Sequence, residues 1–409
     1  MIVRGMLMLA DPQEGVRLAE GWLRITEGRI EQVEEGACPH DADLGGDDCL
    51  VLPGFIDAHL HLPQFDSVGS DGLTLLDWLA SVIFPAEMRW ADAAFAAEMT
   101  GRVIGQLLGF GTTGFAAYAT VHHAAARAAL ETAAGAGVRA AIGQVMMDQE
   151  APQQLLGKPA DLVAEAESLL TDFPAGAAAR VAATVTPRFA VSCSAELLAA
   201  CGDLAARHPS ALVQTHLAET QKECQKVYDL HQRKTYAQVY RDAGLLGPRT
   251  LAAHGVWLDA GQRQILAETD TIVAHCPTAN TFLASGTMDH WRLRTDGVRL
   301  CLGSDVAGGP DRSMPRVARA MIESSRSIGR LPPTAAACWA QMTAGNADAL
   351  GWADSGRLEA GAWADVLVVR PDLPWRTAPQ SLSMLLYGWD ERWLKQVIVA
   401  GRVAVDNAL

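Results

Sequence analysis

The feature that most constrains the fold is a series of eight short apolar runs in the middle of the chain, separated by longer segments with helical spacing. Runs of this length and composition are typical of buried strands, and the segments between them are long enough for crossover helices. The runs are PGFIDAHLH (53–61), GTTGFAAYAT (111–120), AAIGQVMMD (140–148), AATVTPRFA (182–190), ALVQTHLAE (211–219), TLAAHGVWL (250–258), TIVAHCPTAN (271–280) and LCLGSDVAG (300–308). Eight such units predict an α/β chain with a (β/α)₈ TIM barrel over residues 53–354.

The two ends of the chain have a different pattern of apolar and polar residues. Residues 1–52 and 355–409 contain short alternating runs bounded by turn residues, such as IVRGMLML near the start and WLKQVIVAGRVAV near the end. Patterns of this kind predict strands rather than helices. We therefore expect residues 1–52 and 355–409 to combine into one small β-sandwich domain beside the barrel.

Composition narrows the classes of function. The chain has 409 residues with 33 basic and 47 acidic side chains, so its formal net charge is −14. A chain this acidic is not expected to bind nucleic acid, which usually requires a basic face. No apolar run reaches the ~18 residues of a membrane span, and the first residues lack the pattern of a secretory signal. The eight cysteines include no CxxC pair and are interpreted as reduced thiols, which favours a cytoplasmic protein without membrane partners.

Two histidines at the end of the first run, His59 and His61, indicate a metal site. Residues two apart in a strand point to the same face, so both imidazoles are expected in the mouth of the barrel. His216 ends the fifth run and Asp305 ends the eighth. Three imidazoles and a carboxylate suit one divalent metal, Zn²⁺ by first choice and Fe²⁺ as an alternative. Lys158, the only lysine between the first and fifth runs, does not end a strand, so no second, bridged metal is predicted.

Three further residues near strand ends are candidates for acid–base roles. Glu219 lies three residues beyond His216, where a carboxyl group can transfer protons without binding the metal; the alternative is a glutamate that stabilises a helix N-terminus. His254, in AHG after the sixth run, would hydrogen-bond the attacking water or polarise the substrate, unless it is a buried structural histidine. His275, at the end of the seventh run, is a weaker candidate for an outer position around the site.

Several motifs resemble those of a known family. PGFIDAHLH, THLAE, AHG and GSDVAGG resemble the amidohydrolase superfamily in its mononuclear deaminase branch. Within that branch HLHLPQ, LLDWL followed by FPAE, QVMMD, VTPRF, and HCPTAN followed by ASG are similar to motifs of the guanine deaminases. The resemblance runs from about residue 50 to the C-terminus. The chain departs from the family pattern at Asp66, Gly114 and Ala279, and in the stretch of Gly72 and Leu73.

The resemblance implies hydrolytic deamination of guanine to xanthine and ammonia, in a homodimer whose ligand is a small purine base. It implies zinc on His59, His61, His216 and Asp305, and catalytic roles for Glu219, Asp305 and His254. Asp305 would accept a proton from the attacking water, Glu219 would protonate the ring nitrogen and then the leaving amine, and His254 would steady the water. The residues that the resemblance implies around the base are Gln64, Arg188, Phe189, His216, Glu219 and Asp305.

The chemistry of the residue types agrees with those roles. An amide such as that of Gln64 both donates to and accepts from a base edge, Arg188 offers a rigid set of donors, and Phe189 can stack on the ring. The main alternative is an aminohydrolase of the same branch acting on a pterin, a cytosine-like base or a triazine. A catalytically inactive scaffold is disfavoured because all four ligands are present, and cyclic-amide hydrolysis because no lysine ends a strand.

Overall fold

A computed structural model describes residues 1–176 and 178–407. Four strands lie at the start of the chain: β1 (Ile2–Asp11), β2 (Gly15–Thr26), β3 (Arg29–Glu35) and β4 (Leu44–Pro53). β1, β2 and β3 pair antiparallel in chain order, and β4 lies parallel to β1. Val3 and Leu7 on one face and Met8 on the other are buried in separate apolar clusters, so both faces of this sheet pack against a core.

Short strands alternate with helices through the middle of the chain. They are β5 (Phe55–His61), β6 (Thr112–Tyr118), β7 (Arg139–Gly143), β8 (Val145–Met146), β9 (Val181–Ala183), β10 (Thr186–Pro187), β11 (Val213–Leu217), β12 (Thr250–His254), β13 (Ile272–His275) and β14 (Arg299–Leu302). They form two four-stranded parallel sheets, β5-β6-β7-β9 and β11-β12-β13-β14, and the pair β8-β10. Each of the eight apolar runs contains at least one strand, and the third and fourth runs are each divided into two.

The two four-stranded sheets approach each other at both edges. On one side Val185 forms an isolated parallel bridge with Val213. On the other, the Asp305 amide donates to the His59 carbonyl at 2.8 Å and the His61 amide donates to the Val306 carbonyl at 3.0 Å. Over residues 1–176 and 178–407 no continuous ladder joins the sheets into one ring. The chain is therefore a mixed α/β protein, and closure of the barrel stays a prediction.

The helical segments begin and end where local chemistry favours it. Asp92 accepts the amides of Ala94 and Phe95 at the start of α3, and Gly137 ends α4 with a φ of 73°. Thr220 and Glu223 form a capping box at the start of α7. The helices are α1 (Leu75–Trp78), α2 (Phe84–Met88), α3 (Ala93–Gly109), α4 (His123–Ala136), α5 (Pro159–Asp172), α6 (Ala195–Arg207), α7 (Gln221–Leu230), α8 (Tyr236–Asp242), α9 (Ala260–Glu268), α10 (Pro277–Phe282), α11 (His290–Thr295), α12 (Met314–Ser327), α13 (Ala335–Ala340), α14 (Asn346–Ala349) and α15 (Ser381–Tyr387).

The last strands are β15 (Val366–Val369), β16 (Leu394–Val399) and β17 (Arg402–Asp406). β15 pairs antiparallel with β4, which brings both ends of the chain into one seven-stranded sheet of order β17-β16-β15-β4-β1-β2-β3. The described strands at the two ends thus form a single sheet, and a sandwich of two facing sheets is not confirmed.

Aromatic side chains fill the space between the terminal sheet and the parallel strands. Phe55, at the start of β5, contacts Trp389 and Trp339 with ring centroids 5.4 and 6.1 Å apart. All three residues are buried. Such contacts hold β5, which carries two of the candidate site histidines, against the rest of the molecule. Among the described residues, no helix has both the length and the apolar character that a membrane span requires.

Candidate active site

Three histidines and an aspartate converge at the C-terminal ends of parallel strands. His59 and His61 end β5, His216 lies in β11, and Asp305 follows β14. One candidate ligand atom of each lies within 4.8 Å of the others. Asp305 Oδ1 is 3.2 Å from His59 Nε2 and 3.3 Å from His61 Nε2, and His61 Nε2 is 3.1 Å from His216 Nε2. We call these four residues the His/Asp cluster.

The hydrogen bonds around the cluster fit a divalent cation. His216 Nδ1 donates to the carbonyl of Arg188 at 2.7 Å, so its Nε2 presents a lone pair to the cluster. Burial lowers the pKa of His61 to about 4 and that of His216 well below its usual value, which keeps both imidazoles neutral. Neutral imidazoles and one carboxylate are the donor set that zinc and iron accept in proteins. The residues present therefore fit a single metal ion, whose identity they do not determine.

Glycines allow the close approach of Asp305 to the histidines. A Cβ on Gly303 would lie 2.6 Å from the Cβ of His59, and a Cβ on Gly308 would lie 2.7 Å from Asp305 Oδ2. A side chain cannot be accommodated so close to the Cβ and backbone of His59, so the motif GSDVAGG needs glycine at position 303, whereas at position 308 the end of the Asp305 side chain would have to shift. Asp305 itself has a φ of 52°, a left-handed conformation that is uncommon for residues other than glycine.

Asp57 connects β5 to the segment that carries Asp305. Its Oδ1 accepts the amides of His59 at 3.2 Å and Ser304 at 2.9 Å, and its Oδ2 accepts the Ser304 hydroxyl. Asp57 is fully buried, and this burial raises its pKa to about 6. Because Ser304 directly precedes Asp305, these bonds hold the aspartate of the cluster in register with His59.

Glu219 and His254 lie beside the cluster. Ser285 Oγ donates to Glu219 Oε1 at 2.7 Å, and His254 Nε2 is 3.4 Å from Glu219 Oε2. Burial, followed by the charge of Asp305, raises the pKa of Glu219 to about 8. His254 Nδ1 donates to Asn280 Oδ1 at 3.0 Å, which directs Nε2 towards Glu219 and, at 3.9 Å, Asp305 Oδ2. Both candidates therefore have the fixed orientation that proton transfer requires.

Gln64, Glu87 and Arg188 form a second buried polar group, which we call the polar wall. Arg188 Nη1 donates to Glu87 Oε1 at 2.7 Å and to Oε2 at 2.8 Å. Gln64 Nε2 donates to Glu87 Oε1 at 3.1 Å. Phe189, the neighbour of Arg188, is buried with its ring centroid 6.2 Å from that of His216. The polar wall therefore lies next to the His/Asp cluster.

Almost all of the predicted site residues line one pocket. Its cavity has a volume of about 30 Å³. Leu75, Trp78 and Leu79 form an apolar part of its wall. The pocket is lined by His61, Gln64, Leu75, Trp78, Leu79, Arg188, Phe189, His216, Glu219, His254, Leu283 and Asp305.

The departures from the family pattern lie outside this pocket. Asp66 is exposed and pairs with Arg102 at 3.4 Å. Gly114 packs against Trp352, and Ala279 is buried in α10. Gly72 and Leu73 line an outer depression of about 460 Å³ instead. Substitutions at these positions therefore leave the inner lining unchanged.

Two other sequence candidates also lie away from the pocket. His275 is buried at the end of β13 with its ring 5.9 Å from that of His290, and it does not line the cavity. Lys158 is exposed and immediately precedes α5. It therefore does not occupy the strand-end position that a bridging lysine would need.

Sequence reasoning missed four residues that hold the candidates in place: Asp57, Glu87, Asn280 and Ser285. Each lies within a motif that carried the family resemblance, namely IDAHLH, FPAE, HCPTAN and ASG. The motifs marked these positions, but apart from the bond of Asp57 to the His59 amide two residues away, their partners lie 23 to 247 residues away in sequence. Only the folded structure identifies the contacts.

Comparison with known proteins agrees with this geometry. Residues 50–404 match the sequence model of the amidohydrolase family. The chain belongs to the amidohydrolase family. This amidohydrolase is 35% identical over 280 residues to the guanine deaminase of Dictyostelium discoideum, and the alignment covers 68% of this chain and 62% of that protein.

Two solved structures resemble the amidohydrolase over its whole length. E. coli guanine deaminase has a TM-score of 0.92 and 30% identity, with 99% of each chain covered. A guanine deaminase from C. acetobutylicum, with guanine bound in its active site, has a TM-score of 0.91 and 25% identity, with coverage of 98% and 99%. The fold of this amidohydrolase is thus that of the guanine deaminases.

Proposed function

We propose that this chain catalyses the hydrolytic deamination of guanine to xanthine and ammonia. The observation that carries the proposal is the meeting, in one buried pocket, of the His/Asp cluster, the acid–base candidates Glu219 and His254, and two residues of the polar wall. Similarity to guanine deaminases, one of which holds guanine in its active site, supports guanine as the base. An inactive scaffold would have no need of this intact arrangement.

The His/Asp cluster would hold one divalent metal through the Nε2 atoms of its histidines and the carboxylate of Asp305. Such a metal, when bound, supplies a water nucleophile at neutral pH by lowering the pKa of water from 15.7 to about 7. We propose Zn²⁺, with Fe²⁺ as the alternative that the same ligands accept.

The residues beside the cluster would move the protons. Asp305 takes one proton from the attacking water, and Glu219, whose pKa burial raises, donates a proton to the ring nitrogen beside the attacked carbon. The proton on Asp305 passes to the departing amine, and the remaining water proton returns to Glu219 as the new carbonyl forms. Ammonia then leaves, and both carboxyl groups end as they began. His254, oriented by Asn280, steadies the attacking oxygen through Nε2.

Gln64, Arg188 and Phe189 would orient the base. Gln64 and Arg188 are buried and line the pocket together with apolar side chains such as Leu75 and Leu283, so a base that leaves their polar groups unpaired loses binding energy. Phe189 provides a flat surface for stacking. His216, Glu219 and Asp305 also line the cavity and would contact the base near the attacked carbon.

The finer architecture belongs to the same proposal. We propose that residues 53–354 form a closed (β/α)₈ barrel, which the hydrogen bonds at both edges of the two sheets support. Residues 1–52 and 355–409 would form the composite β domain, of sandwich type. A homodimer, a cytoplasmic location and a role in purine breakdown complete the proposal, with family resemblance as the support for the dimer.

A panel of bases tests the proposed substrate. Ammonia release would be measured with guanine, a pterin, cytosine and an aminotriazine, and the guanine product would be separated by chromatography. We expect the highest kcat/KM with guanine and xanthine as the product. Ammonia release from another base, with no xanthine from guanine, would overturn the proposal while leaving the amidohydrolase assignment intact.

A further inference from the structure

The carboxylate of Glu87 lies behind the pocket rather than in it. It is 2% exposed and absent from the cavity lining, yet both residues it bonds, Gln64 and Arg188, line the cavity. Glu87 belongs to α2, and the ring of Phe84 from the same helix lies 5.7 Å from the Arg188 guanidinium carbon. Glu87 is therefore placed to act on a substrate only through its two neighbours.

The carboxylate determines which atom of Gln64 faces the cavity. An ionised carboxylate accepts hydrogen bonds and cannot donate them, so it must bind the Nε2 end of the amide. The Oε1 end of Gln64 is then directed away from Glu87. Within residues 1–176 and 178–407, the structure records no hydrogen bond to this Oε1. Gln64 thus presents an acceptor to a bound base.

The same carboxylate fixes the donors of Arg188. Both of its oxygens accept from Nη1, which leaves Nε and Nη2 without a recorded partner in the described ranges. The guanidinium is planar and rigid, so holding Nη1 also sets the direction of the other donors. The polar wall therefore offers donors from Arg188 beside an acceptor from Gln64.

We infer that Glu87 is the positioning residue that makes this pocket selective for a lactam edge, an N–H next to a C=O, over an amino-substituted edge. The inference rests on the proposed function and deepens it. The six-membered ring of guanine has such a lactam edge. In 2,6-diaminopurine a 6-amino group replaces the oxygen and the neighbouring ring nitrogen carries no hydrogen. The donors of Arg188 would then face the amino group, and the acceptor Gln64 Oε1 would face the lone pair of the ring nitrogen. Mismatched buried polar groups are strongly disfavoured.

Glu87→Gln tests the inference because it keeps the shape and removes the charge. In either orientation an amide at position 87 places its NH2 group against Arg188 Nη1, which no longer has two acceptors. In one of these orientations the amide also donates to Gln64 Oε1, so that Gln64 Nε2 faces the cavity. We expect the KM for guanine to rise and the ratio of kcat/KM for guanine over 2,6-diaminopurine to fall by at least about tenfold. Equal losses on both bases, with the ratio unchanged, would overturn the inference because a merely structural role predicts that result.

Controls separate selectivity from stability. Asp365→Asn changes a buried carboxylate that lies outside the pocket. Arg180 Nη2 donates to Asp365 Oδ1 at 2.8 Å and to Oδ2 at 3.0 Å. This variant should keep the wild-type ratio of kcat/KM for guanine over 2,6-diaminopurine, even if its thermal stability falls. Glu87→Asp retains the acceptor and should keep the preference for guanine even if kcat/KM falls. Loss of the preference in Glu87→Asp would contradict the inference, including in the case where Glu87→Gln does not fold.

The wild-type protein distinguishes this inference from the proposed function. Guanine turnover by the wild type with an unchanged ratio in Glu87→Gln overturns only the role of Glu87. Absence of guanine turnover by the metal-loaded wild type overturns the proposed function, and the inference falls with it. Guanine turnover with the expected fall in the ratio supports both.

Discussion

The His/Asp cluster and the polar wall face the same cavity but are built from different kinds of structure. Cluster residues lie in or directly after parallel strands, where the ladders between neighbouring strands fix their positions. In the polar wall, Gln64 and Arg188 follow strands, but both are joined through Glu87, which belongs to the short helix α2. This difference separates the proposed catalytic centre, which strand ladders hold, from the proposed recognition surface, whose geometry depends on one contact from a short helix.

The largest effect is expected where the cluster itself is broken. His216→Ala removes one of the four ligands, so we expect loss of bound metal and at least about a thousandfold loss of turnover. Metal content and ammonia release should be measured on the same sample. His208→Ala, which alters a half-exposed histidine paired with Glu167, is the matched control and should retain both. One metal per chain in His216→Ala would contradict the assigned ligand set.

A smaller change beside the cluster should separate metal binding from chemistry. Glu219→Gln keeps the shape and the contact with Ser285 but removes the transferable proton. We expect wild-type metal content with turnover lower by about a hundredfold or more. The control is Glu165→Gln, which alters a half-buried glutamate that accepts from Gln144 outside the pocket. Normal turnover in Glu219→Gln would remove Glu219 from the mechanism.

A substitution in the polar wall should lower kcat/KM for guanine without changing metal binding. Arg188→Ala deletes the donors that face the base and leaves Glu87 without its cation. We expect kcat/KM for guanine to fall by roughly tenfold to a hundredfold while the metal content is unchanged. Steady-state kinetics with metal analysis checks this expectation. An unchanged kcat/KM would exclude Arg188 from binding, and loss of metal would show that the wall and the cluster are not separate units.

The smallest effect is expected at Asp66, an exposed residue two positions after Gln64. Asp66→Ala removes an exposed carboxylate whose ion pair with Arg102 is 3.4 Å long. Exposed pairs contribute little, so stability should change by less than about 0.5 kcal/mol and guanine kcat/KM should stay at the wild-type value. Thermal unfolding and kinetics would check both. A clear loss of activity would mean that the recognition surface extends beyond the polar wall.

The difference between the His/Asp cluster and the polar wall also explains what could be predicted from the sequence. Alternation along a strand predicted that His59 and His61 share a face, and strand-end positions predicted that His216 and Asp305 join them. Glu87 could not be assigned in this way, because its contacts with Gln64 and Arg188 span 23 and 101 residues and depend on where the short helix α2 lies in the fold. Local patterns carry no information about such contacts.

The terminal strands illustrate a second limit. Their alternating pattern predicted strands at both ends, and the structure brings them into one sheet through β4 and β15. A buried strand face has the same apolar pattern whether helices or a second sheet pack against it. The number of facing sheets therefore could not be derived from the sequence.

Metal removal and replacement, followed by guanine-dependent ammonia release, tests the central claim most directly. The protein would be treated with a chelator, freed of it, and titrated with Zn²⁺ while metal content and activity are measured together. The account predicts no turnover without metal and a rise to a plateau at about one ion per chain. Full guanine turnover by the metal-free protein, or one bound ion with no turnover of guanine, would contradict it.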